Sequence, residues 1–332
     1  MINSLYIMNL SSLERVYAQA DRDRLIQASH VLRAPMDTLD VYKHKEALEQ
    51  VDVIFSGWGG PTLDEQFLQA TPKLKAFFYA AGSLRTIVTE AAWERGIRFS
   101  SANAVNAIPV AEYTLSQILF ALKQGWPMIR RVKEYQSFPA KPYREIAGAY
   151  GSTVGIISLS KVGKLVCERL KTFDVNVQVY DPYATDEQIR AAGATRSTLA
   201  AIFAESDVVS LHAPLLEETK GIIHGDHFQS MKANASFINT ARGEIIRQQD
   251  LVRVFGERRD LTAVLDVTDP EPPLRNDPLW KLDNVIVTPH IAGSEERECA
   301  RMGALMVEEY LRYQAGVPLE HEVTRAQFHI QA

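Results

Sequence analysis

The chain has 332 residues, room for two domains, and its 46% hydrophobic and 23% charged content is that of an ordinary globular protein. A net charge of −5 and a pI near 6.0 exclude the basic footprint of a nucleic-acid binder. Cys167 and Cys299 form no spaced metal pattern and point to a reducing compartment, no apolar run reaches the roughly 18 residues of a membrane span, and the N-terminus lacks the basic start of a signal peptide, so a cytoplasmic protein without a membrane partner is expected.

Short apolar strands at 5–8, 51–56, 74–79 and 97–99 alternate with helical stretches such as 86–95, which predicts a first, smaller α/β domain. Two of its turns are rich in small residues. One is Ser56-Gly57-Trp58-Gly59-Gly60; the other, Ala80-Ala81-Gly82-Ser83, leaves backbone N–H groups free for an anion. A buried helix is expected over 107–123, with Asn106 as N-cap and Pro109 in the first turn. The stretch 125–151, with Pro127, Pro139 and Pro142, lacks clear periodicity and reads as an arm or interface loop.

From 151 the pattern becomes regular. A buried strand (Val154, Ile156, Ile157) leads through Ser158-Leu159-Ser160 into apolar positions at helical spacing (Val162, Leu165, Val166, Leu170), and a second strand ends in Asp181. This is the layout of a dinucleotide site, with Ser158, Ser160 and Gly163 at the glycine positions of GxGxxG. The third glycine survives for close helix packing. Ser160 offers a hydroxyl beside the helix N-terminus, and Asp181 is placed to accept from a ribose 2′-hydroxyl and to repel a 2′-phosphate. Further strands at 207–211, 235–239, 261–265 and 284–287 follow. The strand ends carry Ser158, Asp181, His212, Arg242, Asp266 and His290 in turn, and ligands of open α/β sheets bind outside such ends. A final helix carries Met302, Leu305, Met306 and Tyr310 and returns the chain to the first domain.

Arg242 offers a fork for a carboxylate, and His290 a group that gives and takes protons near neutral pH. Glu271, between Pro270 and Pro272, is placed to fix the His290 tautomer and favour its protonated form. His212 reads as wall of a cofactor pocket. His224 and His227 lie three apart without a third ligand, so no metal site is expected.

Seven segments then carry a resemblance: 94–115, TVGIISLSKVG at 153–163, VYDPYA at 179–184, 206–223, INTARGEII at 238–246, AVLDVTDPEPP at 263–273 and NVIVTPHIAGS at 284–294. Together they resemble the D-isomer-specific 2-hydroxyacid dehydrogenases, which include phosphoglycerate and glyoxylate/hydroxypyruvate reductases. The resemblance implies two Rossmann-like α/β domains. A doubly wound parallel-sheet NAD-binding domain (104–296) is inserted into a smaller flavodoxin-like substrate domain (1–103 and 297–332), and dimers form through the NAD-binding domains. It implies hydride transfer between NAD(H) and a small D-2-hydroxy or 2-oxo acid. Arg242 would clamp the substrate carboxylate with the backbone of Gly82 and Ser83. His290 would be the acid/base and Glu271 its partner, with Asp181 on the ribose and Asp266 near the nicotinamide carboxamide. The cofactor set expected is Ser160, Lys161, Val162, Asp181, His212, Pro214, Thr219, Thr240, Ala241, Arg242, Asp266, His290 and Gly293. The alternative is a non-catalytic, corepressor-like NAD(H)-sensing protein on the same fold.

Overall fold

The computed structural model describes residues 1–141 and 143–330; Pro142 and the last two residues of the expected 297–332 segment lie outside the described residues. Two compact units emerge, Met1–Ala107 with Ser294–Ala332, and Ile108–Gly293. The sequence placed these breaks at 103/104 and 296/297. The first lies inside a continuous helix, where no turn residue marks it.

In the first unit, β1 (Asn3–Tyr6), β2 (His30–Val31), β3 (Val53–Ser56), β4 (Ala76–Tyr79), β5 (Arg98–Ser101) and, late in the chain, a two-residue strand (Glu322–Val323) form one sheet. The five early strands run parallel in the order β2-β1-β3-β4-β5, and the late strand pairs antiparallel with β5. That is the flavodoxin-like order. The central strands β3 and β4 are mostly apolar because both faces are covered. Leu5, Ile54, Phe77 and Phe99 point to one core and Tyr6, Phe55 and Phe78 to the other, alternating as the pleat requires. The helix Cys299–Gln314 lays Met302, Met306 and Tyr310 on the second face, so the final helix does return to the first unit.

In the second unit, β6 (Thr153–Ile157), β7 (Asn176–Tyr180), β8 (Thr195–Arg196), β9 (Val208–Leu211), β10 (Ser236–Asn239), β11 (Thr262–Leu265) and β12 (Val285–Val287) form an all-parallel sheet in the order β12-β11-β10-β9-β6-β7-β8. The order reverses between β6 and β9, the switch point at which such sheets take ligands. Alternation again sorts the core, with Val154, Ile156, Val179 and Ile238 on one face and Ile157, Val209, Phe237 and Leu265 on the other.

Several local expectations change. The helix expected over 107–123 is Asn103–Leu122, a turn earlier, so Asn106 and Pro109 lie inside it. Asn106 caps nothing; its Oδ1 instead accepts from the Ser294 amide at 3.0 Å. By length and composition alone this helix could cross a bilayer, although polar residues such as Glu112 and Gln117 interrupt its apolar run. It nevertheless packs Ala111, Ile118, Ala121 and Leu122 into the core of the second unit, as a globular-protein helix does. The aperiodic stretch after it opens with a helix, Gly125–Tyr135, that buries none of its residues. The helix expected over 86–95 shrinks to Glu90–Glu94.

Candidate active site

The sheet of the second unit brings the strand-end residues to one edge. β11 ends at Leu265, and the buried Asp266 follows. Its Oδ1 accepts from Thr288 Oγ1 at 2.6 Å and from the Ile291 amide at 2.9 Å, and its Oδ2 from the Ala292 amide at 2.9 Å. The turn after β12 is thus wrapped around one carboxylate, with His290 held at φ 55°. The Thr288 hydroxyl spends its only proton on Asp266, so Tyr113 Oη, 2.9 Å away, is the donor to Thr288. His290 Nδ1 lies 2.6 Å from Glu271 Oε1. A carboxylate acceptor puts the proton on Nδ1 and leaves Nε2 for chemistry. Both side chains are about half exposed.

Arg242 comes from the turn after β10. Asn239 closes that turn, its Oδ1 accepting from the Ala241 amide at 2.9 Å and its Nδ2 donating to the Arg242 carbonyl at 3.0 Å. The guanidinium donates to the Ala241 carbonyl at 2.5 Å. Burial lowers its pKa, and the charge of Glu271 opposes that, so the two groups are near enough to feel each other. Gly243 allows the approach: a Cβ there would stand 2.1 Å from the Thr268 carbonyl carbon and oxygen. Gln248 Oε1 accepts from the Asp269 amide at 3.0 Å and steadies the Glu271 loop. Arg242, Glu271 and His290, far apart in the chain, therefore share one edge of one unit.

The β6 turn shows what would receive a dinucleotide. Ser160 caps the helix Lys161–Leu170, its Oγ accepting from the Gly163 amide at 3.3 Å. The Lys161 and Val162 amides precede any intrahelical acceptor and stand at the positive end of the helix, suited to a phosphate. At Gly163 a Cβ would meet the Ser158 carbonyl oxygen at 2.1 Å, so the third fingerprint position admits only glycine. Asp181 sits at the end of β7, as an acid on a ribose should, but all its acceptor positions are in use. Oδ1 accepts from the Tyr183 and Ala184 amides at 2.8 and 3.0 Å, and Oδ2 from the Leu159 amide at 2.7 Å and the Ser158 hydroxyl at 3.1 Å. These features fit a dinucleotide, with one competing donor.

His212 is buried, its Nε2 2.9 Å from Ser210 Oγ, and burial pushes its pKa down to about 3, so the ring is neutral. Thr219 staples its own turn, donating to the Pro214 carbonyl at 2.7 Å and accepting from the Leu216 amide at 2.8 Å. Thr240 Oγ1 meets Thr114 Oγ1 at 3.1 Å, tying the end of β10 to the helix Asn103–Leu122. Gly293 closes the second unit, and Gly82 and Ser83 follow β4 in the first. Tyr113 and Thr288 were not singled out from sequence, since no spacing rule pairs residues so far apart.

Strand order, switch point and turn chemistry define the class first: a doubly wound, dinucleotide-binding type of α/β unit. More narrowly, residues 115–292 match the family described as D-isomer specific 2-hydroxyacid dehydrogenase, NAD binding domain, and the chain belongs to that family. It is 33% identical over 261 residues to a protein named D-3-phosphoglycerate dehydrogenase from Archaeoglobus fulgidus, the alignment covering 79% of this chain and 49% of the relative. It is 32% identical over 247 residues to a glyoxylate reductase from Thermofilum pendens, covering 73% of each. The chain spans about half the length of the phosphoglycerate dehydrogenases it matches. A phosphoglycerate oxidoreductase from Rhizobium etli shares the fold, with a TM-score of 0.82 at 20% identity over 98% of this chain and 99% of that one.

Proposed function

We propose that the protein is an NAD-dependent oxidoreductase that interconverts a small D-2-hydroxy acid and its 2-oxo acid. The observation that carries this is the 2.6 Å His290–Glu271 pair on the same sheet edge as a half-buried Arg242 that makes no ion pair among the described residues. A protein that only sensed NAD(H) would have no use for that set, which disfavours the corepressor-like alternative.

When bound, NADH supplies the hydride. The chain does the rest. The Arg242 fork holds the substrate carboxylate and fixes the carbonyl carbon. His290 Nε2 gives its proton to the carbonyl oxygen while Glu271 holds the ring through Nδ1. In oxidation the same nitrogen takes the hydroxyl proton. The Lys161 and Val162 amides and the Ser160 hydroxyl hold the pyrophosphate. His212, Pro214, Thr219, Thr240, Ala241, Asp266 and Gly293 line the cofactor site, and the Asp181 charge selects NAD over NADP. The outward face of Gly125–Tyr135, with exposed Phe120, Ile129, Tyr135 and Phe138 on and around it, supports a homodimer through this unit. The unpaired, buried Cys167 and Cys299 suit a cytoplasmic location.

The test follows NADH and NADPH absorbance with glyoxylate, hydroxypyruvate, pyruvate and 3-phosphohydroxypyruvate. Turnover with NADH on one of these is expected, and His290→Ala should lower it by roughly two to four orders of magnitude, the scale of lost acid/base catalysis. Near-normal turnover in that variant refutes the assignment.

A further inference from the structure

We propose that the Ser158 hydroxyl occupies the acceptor position on Asp181 that a cofactor ribose hydroxyl needs, and so competes with NAD(H) from within the chain. This rests on the NAD-binding reading above. A carboxylate offers about four acceptor positions. At Asp181 all are filled, by the amides of Leu159, Tyr183 and Ala184 and by Ser158 Oγ.

The amides belong to the turns at the ends of β6 and β7 and cannot withdraw without moving backbone. The Ser158 backbone is itself anchored, its amide donating to the Tyr180 carbonyl at 2.7 Å. The Ser158 hydroxyl, by contrast, leaves by one χ1 rotation, and its 3.1 Å bond is the longest of the four. It is therefore the donor that a ribose hydroxyl displaces.

The residue sits at φ 75°, the left-handed region in which glycine is the unstrained choice. The glycine of the usual fingerprint would leave this carboxylate one donor short and ready for ribose. Serine instead satisfies Asp181 in the free protein at some backbone cost. Each binding event must then break a hydrogen bond to a charged group before making its own.

The experiment is isothermal titration of the full chain, wild type and Ser158→Ala, with NADH and with NADH lacking the adenosine 2′-hydroxyl. Alanine keeps the Cβ and the φ strain in both free and bound states, so it isolates the hydroxyl. NADH is expected to bind Ser158→Ala about tenfold more tightly, the scale of one charge-assisted hydrogen bond partly offset by water. The 2′-deoxy compound, left with only the 3′-hydroxyl on that ribose, should gain less from the substitution than NADH does. Unchanged or weaker NADH binding in the variant overturns the proposal, as does an equal gain for the deoxy compound. If Ser158→Ala does not fold, Ser158→Gly serves instead, and since glycine also relieves the φ strain, the hydroxyl is read from the larger gain of NADH over the deoxy compound. Wild-type binding without a gain removes only this inference; no NADH binding by either protein removes the NAD-binding reading as well.

Discussion

His212 gives a prediction whose size follows from its burial. The ring is 5% exposed and, among the described residues, pairs only with Ser210. Its pKa falls from the ordinary 6.5 to about 3 because the buried cation would lose its hydration. The folded value is thus depressed. Below pH 6.5 the unfolded chain binds a proton here that the folded chain refuses, until about pH 3. The stability contribution is complete above pH 6.5 and is lost as pH falls, at about 1.4 kcal/mol per pH unit. Over two units that is roughly 2–3 kcal/mol, a large part of the margin of an ordinary domain. The assay is urea unfolding of wild type and His212→Gln at intervals from pH 7 to 4.5. Pulse hydrogen exchange on peptides spanning β9 lets the second unit be followed by itself. Carboxylates titrate alike in both proteins, so the difference between the curves isolates His212. The wild type should lose stability more steeply over this range. Parallel curves would show that the imidazole takes up its proton in the folded state, and the reasoning from burial would fail. His212 would then also become a rival to His290 as a proton carrier.

Thr288→Val removes the link between Tyr113 and Asp266. It should raise amide exchange at 290–292 without changing exchange elsewhere, and lower kcat by about tenfold to a hundredfold with little change in KM, since one donor positioning the acid/base is lost. Thr288→Ser should restore both, and a silent valine variant would deny the turn its dependence on this hydroxyl. Gly243→Ala forces a Cβ into the Thr268 carbonyl and should cost about 1–3 kcal/mol of stability, while separating Arg242 from Glu271 and raising KM for the 2-oxo acid. Normal stability and KM would show that the two loops adjust independently.

Much of this was legible before any coordinates. Buried parallel strands are mostly apolar, so β6, β9, β10 and β11 were legible as apolar runs and β7 from its alternation, and each was followed by the polar residue that now stands at the sheet edge. Strands of two residues could not be read: His30–Val31 and Thr195–Arg196 exist only because a neighbour supplies their hydrogen bonds. The helix Gly125–Tyr135 was hidden because it starts directly after another helix, with Pro127 in its first turn, and fully buries none of its side chains.

The site divides in the same way. Residue type settled which groups can do the chemistry, because a guanidinium, an imidazole and a carboxylate have their properties wherever they lie in the chain. Partnership was decided only in three dimensions. A carboxylate in a sequence is an open acceptor, yet Asp266 proved to be the core of the His290 turn and Asp181 proved to be saturated by its own loop. Hydrogen-bond capacity is a matter of direction within about 3 Å. Direction at that scale depends on how β6, β7, β11 and β12 lie beside one another, which spacing along the chain does not encode.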